Sequence, residues 1–274
     1  MELLIFIILV AVIFYALYKI LKPYFLRYDT TILFTGGLGS GKSLNSVKLG
    51  VTLYRKTLLK WKIKKILKKV FRKIQLGDKP LLFSNIPIVV GKKRGKPVYC
   101  SVLTKEILTL KVRIPEYSVV VIDEMPLLVN QFNWNEKEVK YNLCEFIALF
   151  RHYVGGYLVC NGQAESEIVK QVRAKLNSGF WCFDFQKFLF FFYRYKVIHY
   201  MISENNTVNT TDFIEDKTKY TYGILPRGLY SSRAYRYRYL NLDLPSKFLT
   251  FDKLTTNVIV RFDNYVSTCD SREV

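Results

Sequence analysis

Five β-branched or apolar residues, Thr31-Ile32-Leu33-Phe34-Thr35, run straight into Gly36-Gly37-Leu38-Gly39-Ser40-Gly41-Lys42-Ser43. The first five read as a buried strand. The eight that follow match GxxxxGK[ST] at every fixed position. No other feature constrains the fold as tightly, because a strand feeding such a loop has to be followed by a helix. The glycines let main-chain N–H groups turn inward around phosphate oxygens. A helix beginning near Gly41 aims the positive end of its dipole at the same place. Lys42 is then expected to bridge the β- and γ-phosphates and Ser43 to ligate Mg²⁺. The expected ligands are ATP, cradled by Gly36, Gly37, Leu38, Gly39, Ser40, Gly41, Lys42 and Ser43, and Mg²⁺ on Ser43 and an acid from another strand.

That acid is supplied by Tyr117-Ser118-Val119-Val120-Val121-Ile122-Asp123-Glu124. An apolar strand delivers two adjacent carboxylates at its C-terminal end, the edge at which α/β sheets bind ligands. Asp123 is expected to hold the Mg²⁺ shell and Glu124 to orient and activate the attacking water. A third strand, Tyr157-Leu158-Val159-Cys160, ends in Asn161-Gly162-Gln163. Two readings stand for Gln163: a contact to the γ-phosphate or the water, or an ordinary polar strand end. Arg151 follows the apolar helix Tyr141–Phe150. It reads either as an arginine finger for a neighbouring subunit's nucleotide or as a cation completing a helix C-terminus.

No charge occurs from Leu3 to Tyr18. Sixteen helical residues reach about 24 Å, and a snorkelling Lys19 extends the apolar length to about 28 Å, near the hydrocarbon thickness of a bilayer. Only Met1 and Glu2 precede the segment and no small-x-small site ends it, which argues against a cleaved signal peptide. Lys19, Lys22 and Arg27 follow it. The expectation is a single-pass anchor over residues 1–22 in the inner (cytoplasmic) membrane of a host cell, N-terminus outside and the rest of the chain cytoplasmic. The expected fold class is α/β: a P-loop NTPase with a mostly parallel sheet flanked by helices, an N-terminal transmembrane helix and a β-rich C-terminal portion.

Taken in order, these residues resemble the zonula occludens toxin-like family, the assembly and export ATPases of filamentous phages of inovirus and plectrovirus type, a branch of the FtsK/HerA-like P-loop ATPases. Gly36–Ser43 is similar to the family's phosphate loop, Ser84-Asn85-Ile86-Pro87 to its asparagine-isoleucine-proline strand end, and Val119–Glu124 to its acidic strand. Phe150-Arg151-His152-Tyr153-Val154-Gly155-Gly156 resembles its arginine-histidine segment, Cys160–Gln163 its glutamine-ended strand, and Gln171-Val172-Arg173 the arginine shortly after. Tyr230-Ser231-Ser232-Arg233-Ala234-Tyr235 is a fainter match to a Tyr-Asp-Thr-type motif, without its Asp. The resemblance covers roughly residues 30–239. It implies ATP-driven extrusion of single-stranded phage DNA through the host membrane, with coat proteins and a homo-oligomer as partners and Arg151 and Gln163 as functional. One feature departs from the family pattern: the apolar segment precedes the ATPase region instead of following it.

The chain carries 42 Lys+Arg against 22 Asp+Glu, a formal net charge of +20, which suits a polyanionic partner. Ten of the cations and no acid lie between Arg55 and Lys73. Leu59, Ile63, Ile66, Leu67, Val70 and Ile74 recur there at helical spacing. Three readings stand for this stretch, taken as a basic helical insertion over 55–76: it lies on anionic membrane lipid, it lines a DNA path, or it is a solvated arm packed by its apolar stripe. Lys92, Lys93, Arg94 and Lys96 form a second basic cluster, expected on a hairpin. Phe180–Ile202 is aromatic and partly alternating and reads as an edge hairpin, since Asp184, Lys187, Arg194 and Lys196 argue against a membrane span. Tyr235-Arg236-Tyr237-Arg238-Tyr239 is either a base-stacking platform or an ordinary strand. The expected domain layout is an anchor over 1–22, an ATPase domain over 30–240 and a tail over 241–274. None of the five cysteines forms a CxxC pair, so they read as buried thiols and not as zinc ligands.

Three functions compete on these residues. The first is the phage extrusion motor. The second is a double-stranded DNA packaging or conjugative translocase, which uses the same site. The third is a membrane scaffold that binds ATP without hydrolysing it.

Overall fold

In the computed structural model the described residues run from 30 to 224, apart from 72, 74, 109–111, 129–136, 169, 177, 189–191 and 202–218; positions 9, 10, 12 and 15 are also described. Strand β1 (Thr31–Thr35) leads into helix α1 (Lys42–Val70). Then come β2 (Leu82–Ser84), a hairpin of β3 (Val89–Lys93) and β4 (Lys96–Tyr99), and β5 (Ser101–Val102). Short helix α2 (Lys105–Leu108) precedes β6 (Val119–Ile122), after which come α3 (Met125–Leu128) and α4 (Lys137–Tyr153). β7 (Tyr157–Asn161), α5 (Lys170–Arg173), β8 (Ser178–Phe188), β9 (Phe192–Met201) and β10 (Lys219–Ile224) complete the described chain.

One eight-stranded sheet in the order β10-β9-β8-β1-β7-β6-β2-β5 organises the domain. From β8 to β5 every neighbouring pair is parallel, while β9 and β10 add an antiparallel edge. Alternating strand residues therefore feed two cores. On one face Ile32, Phe34, Val119, Val121 and Val159 pack with Leu44, Val47, Leu53 and Tyr54 of α1. On the other, Leu33, Val120, Ile122, Leu158 and Cys160 meet Ile107 of α2 and Phe146, Ile147 and Phe150 of α4. Each fully buried Val, Leu, Ile or Phe contributes about 1.5–3 kcal/mol. Helix α1 seats so closely on the sheet that a Cβ at Gly50 would lie 2.3 Å from Val121 Cγ2. This position tolerates only glycine without displacement of helix or strand.

The 29 residues of α1 extend about 44 Å, while the five residues of β1 beneath them extend only about 17 Å. The helix outruns the sheet. Its buried residues end at Thr57, and beyond that point Leu59, Ile63, Ile66 and Val70 are 49–70 % exposed. The apolar stripe read from the sequence exists, but it does not pack down, which corrects the packed-arm reading. Near its start the arm is tied by Trp61, whose indole N–H donates to the Gly77 carbonyl (2.9 Å).

The expected aromatic hairpin is present as β8 and β9, and β8 does more than close an edge. It also pairs in parallel with β1, with Leu33 opposite Gly179 and Thr35 opposite Trp181. In β9 the alternation is realised as buried Tyr193, Tyr195 and Val197 between half-buried neighbours. Cys100, Cys160 and Cys182 are buried and outside any disulfide, and burial pushes the Cys182 thiol up to about 12. No group of metal-ligating side chains occurs among the described residues. Residues 225–274, including Tyr230–Tyr239 and Cys269, lie outside the described residues.

The expected membrane location is overturned. Among the described residues no helix is long and apolar enough to cross a membrane. Of the anticipated anchor over 1–22, only Leu9, Val10, Val12 and Tyr15 are among the described residues, and the rest lies outside them. The one long described helix, α1, interleaves its apolar residues with lysines throughout its exposed half. The single-pass topology, and the inside–outside orientation derived from it, fall with the anchor.

Candidate nucleotide site

Strands β1, β7 and β6 are adjacent and parallel, so their C-terminal ends open on one edge. At ~4.8 Å per strand step the ends of β1 and β6 are ~10 Å apart, with β7 between them. The phosphate loop leaves β1 through Gly36, whose N–H donates to the Gln163 carbonyl (3.1 Å). Gly36 has φ +143°, and a Cβ there would lie 2.1 Å from the Cys182 carbonyl oxygen and 2.8 Å from Ser40 Oγ. Gly39 (φ +74°) and Gly41 (φ +86°) supply the left-handed turns that only glycine takes freely. Gly41 is the N-cap of α1, so the helix begins at the loop's last turn.

Lys42 is 5 % exposed, and its ammonium donates to the Gly37 carbonyl (2.9 Å) across the loop. Ser43 follows on the first turn of α1, half-buried, and Leu38 projects at 83 % exposure. The hydroxyl of Ser40 is buried with no hydrogen-bond partner. An orphaned buried hydroxyl costs about 1–3 kcal/mol, and a phosphate oxygen in the loop would satisfy it. The loop's donors and its one buried cation fit a polyphosphate.

Asp123 and Glu124 stand at the end of β6, fixed by two asparagines from the flanking strands. Asn85, just past β2, makes a two-point bond to Asp123: the Asp123 N–H donates to Asn85 Oδ1 (2.8 Å) and Asn85 Nδ2 donates to the Asp123 carbonyl (2.8 Å). Asn161, the last residue of β7, accepts the Glu124 N–H on Oδ1 (2.7 Å). Its Nδ2 donates to Asp123 Oδ1 and to Ser46 Oγ on α1 (3.0 Å). Asn161 therefore joins the acidic turn to the helix that starts at the phosphate loop. Glu124 has φ +48°, a left-handed backbone that costs an L-residue roughly 1–2 kcal/mol, and the bond its N–H donates to Asn161 holds it there. Burial pushes the Glu124 carboxyl above the usual range; the Asp123 charge pushes the same way, the Lys42 ammonium opposes, and Glu167 adds a smaller upward push. Asp123 and Lys42 thus both act on Glu124 across a single site.

The other anticipated residues are placed differently. Gln163 meets Gly36 through its main chain, and its side chain is exposed. Arg151 is exposed on the last turn of α4. That turn precedes the start of β7, so Arg151 lies at the opposite edge of the parallel sheet from the loop. The structure does not bring it to its own chain's site.

Sequence reading assigned no role to Asn85, Asn161 or Glu167 within the site. The first two carry a signal: an amide ending an otherwise apolar buried strand. Asn85 and Asn161 are 1 % and 0 % exposed, and buried amides need partners. Glu167, on a short 3-10 turn (Glu165–Glu167), belongs to no motif. Replacement Asn85→Ala is expected to remove both hydrogen bonds to the Asp123 main chain, lowering stability by about 1–3 kcal/mol for each. Urea denaturation measures the loss.

The strand order, the glycine loop and the clamped acidic pair define a P-loop nucleotide-binding α/β domain. Among solved structures, the chain is similar to the N-terminal domain of zonular occludens toxin from Neisseria meningitidis: 12 % identity, 75 % of this chain and 96 % of that one covered, TM-score 0.37. It is also similar to the genome packaging NTPase B204 from Sulfolobus turreted icosahedral virus 2. In complex with ATP-gammaS, that protein shows 10 % identity, 71 % and 97 % coverage and TM-score 0.33. In complex with AMP it shows 12 %, 72 % and 96 %, and 0.33. No protein-family model and no curated protein sequence matches the chain.

Proposed function

We propose that the chain is an ATPase that drives assembly and extrusion of single-stranded DNA virions of a filamentous phage, acting as a homo-oligomer. The observation that carries the enzymatic half is Glu124, whose main-chain N–H is held by Asn161 and whose carboxyl lies beside Asp123 and within the field of Lys42. The DNA substrate and the extrusion step are supported by the ordered motifs from Gly36–Ser43 to Gln171–Arg173, which resemble the phage assembly ATPases.

The chemistry follows from the placement. Lys42 leaves the Gly37 carbonyl for the β- and γ-phosphate oxygens. Glu124 takes a proton from a water as its oxygen attacks the γ-phosphorus; the bond from that phosphorus to the β,γ-bridging oxygen breaks, and ADP and phosphate result. Mg²⁺, held by Ser43 and Asp123, would neutralise charge on the phosphate oxygens. The Glu124 base works only when deprotonated. Because its pKa is raised, turnover is expected to fall, as pH is lowered, at a higher pH than an ordinary carboxylate would give. Glu167→Gln removes an upward push, so the acid limb of the kcat profile is expected to move to lower pH. An unmoved limb would separate Glu167 from the base.

The substrate is tested by measuring ATP turnover with single-stranded and duplex DNA of equal length. Stimulation by the single strand alone supports the extrusion motor. Stronger stimulation by duplex favours a packaging or conjugative translocase. Negligible turnover with either, with ATP still bound, leaves a scaffold.

A further inference from the structure

The ribbon of β3 and β4 stands apart from the main sheet as a two-stranded sheet of its own. Its strands pair Lys92 with Pro97 and Lys93 with Lys96. They are joined by Arg94 (φ +51°) and Gly95 (φ +80°), a two-residue turn with both centres left-handed. Lys92, Lys93, Arg94 and Lys96 are all exposed. No acidic residue occurs anywhere from 79 to 105.

The root of the ribbon is fixed while its tip is solvated. Ile88 and Cys100 are buried where the ribbon leaves the core. The Cys100 N–H donates to the Ile88 carbonyl (2.8 Å), and the Ile88 N–H donates to Cys100 Sγ (3.4 Å). Val90 and Tyr99 pack against the core on the α1 face. Four cations within five residues are thus presented on a rigid stalk. Protection of the ribbon's edges against pairing would require charge along the strands, and here it is gathered at the turn.

We propose that this tip grips the sugar-phosphate backbone of a nucleic acid strand, a contact separate from the nucleotide site; the choice of single-stranded DNA as partner rests on the functional reading above. Charge complementarity selects a polyanion. A lipid surface is disfavoured because the tip from Lys92 to Pro97 has no large apolar side chain to insert. The exposed half of α1, in contrast, mixes its lysines with Leu59, Ile63, Ile66 and Val70. With no aromatic ring at the tip to stack on a base, the contact reads phosphate and not sequence.

The test is fluorescence anisotropy of a labelled oligo-dT with the full chain, nucleotide-free, over a range of KCl. The parent is compared with a variant carrying Lys92→Ala, Lys93→Ala, Arg94→Ala and Lys96→Ala. Each phosphate contact on a single strand contributes about 0.7 to the slope of log affinity against log salt. Loss of four cations is therefore expected to reduce the slope by about 2–3 and to weaken binding most at low salt, with basal ATP turnover unchanged. A Lys93→Arg control is expected to keep both slope and affinity. Parental affinity and slope in the four-alanine variant would overturn the proposal alone, the more so if neutralising Lys62, Lys65 and Lys69 of α1 abolished binding. A parent chain that binds no oligonucleotide at any salt would overturn both this contact and the DNA substrate.

Discussion

Replacing Glu124 by glutamine is expected to lower ATP turnover by about 10²–10⁴-fold, the usual contribution of a positioned general base, while leaving ATP binding intact. The substitution is nearly isosteric, so the half-buried site keeps its volume. Asn161 holds the Glu124 main-chain N–H and not its carboxylate; the left-handed turn survives the change. The Asn85 bonds to Asp123 are also untouched. Only the proton acceptor is lost. Lys42→Ala should behave differently, because Lys42 is the one buried cation of the loop and its removal weakens binding as well as turnover. Single-turnover hydrolysis and titration with a fluorescent ATP analogue separate the two effects. A glutamine variant that hydrolyses ATP at the parental rate would remove Glu124 from the chemistry.

Arg151→Ala is expected to reduce turnover by about 10³–10⁵-fold if the arginine completes a neighbour's site. Placement at the opposite edge of the sheet from the phosphate loop makes this a question about assembly. A finger located there reaches a nucleotide only when the loop edge of one copy faces the α4 end of the next. Such contacts are heterologous and build a ring where the rotation closes, not a two-fold dimer. Mixing decides the matter. Arg151→Ala subunits retain Glu124, and Glu124→Gln subunits retain Arg151, so the mixture is expected to recover activity that neither variant has alone. The competing role, a cation at the C-terminal end of α4, is worth only about 0.3–1 kcal/mol of stability. It predicts a slightly lower melting temperature with turnover unchanged.

The part of the site that depends on local chain order was legible in advance. A glycine loop between a strand and a helix, and an acidic pair after an apolar run, are contiguous in sequence and carry their chemistry with them. Contacts between distant segments were not legible. Nothing near Asn85 or Asn161 in sequence announces that both close on one turn of β6. Their signal, a buried amide ending an apolar strand, becomes specific only once β2, β6 and β7 are known to be neighbours. The parallel pairing of β8 with β1 was hidden for the same reason, since aromatic alternation reports a half-buried strand but not its partner. For α1 the spacing of Leu59, Ile63, Ile66 and Val70 correctly marked a helical stripe. Periodicity has no knowledge of where the sheet beneath it stops, and so the stripe faces water. For the apolar N-terminal run the expected membrane location is not met: among the described residues no helix is long and apolar enough to cross a membrane, and most of that run lies outside them.

The lysine of the phosphate loop begins with its charge already engaged by the Gly37 carbonyl. Filling the loop is accordingly an exchange of partners. A neutral acceptor offers the ammonium about what it already has, a bond with one charged partner worth roughly 1.5–3 kcal/mol net, whereas an anionic one adds the attraction between opposite charges. The loop is in this way self-quenched: weakly charged solutes gain little by entering, and the arm swings away only for a ligand that brings concentrated negative charge.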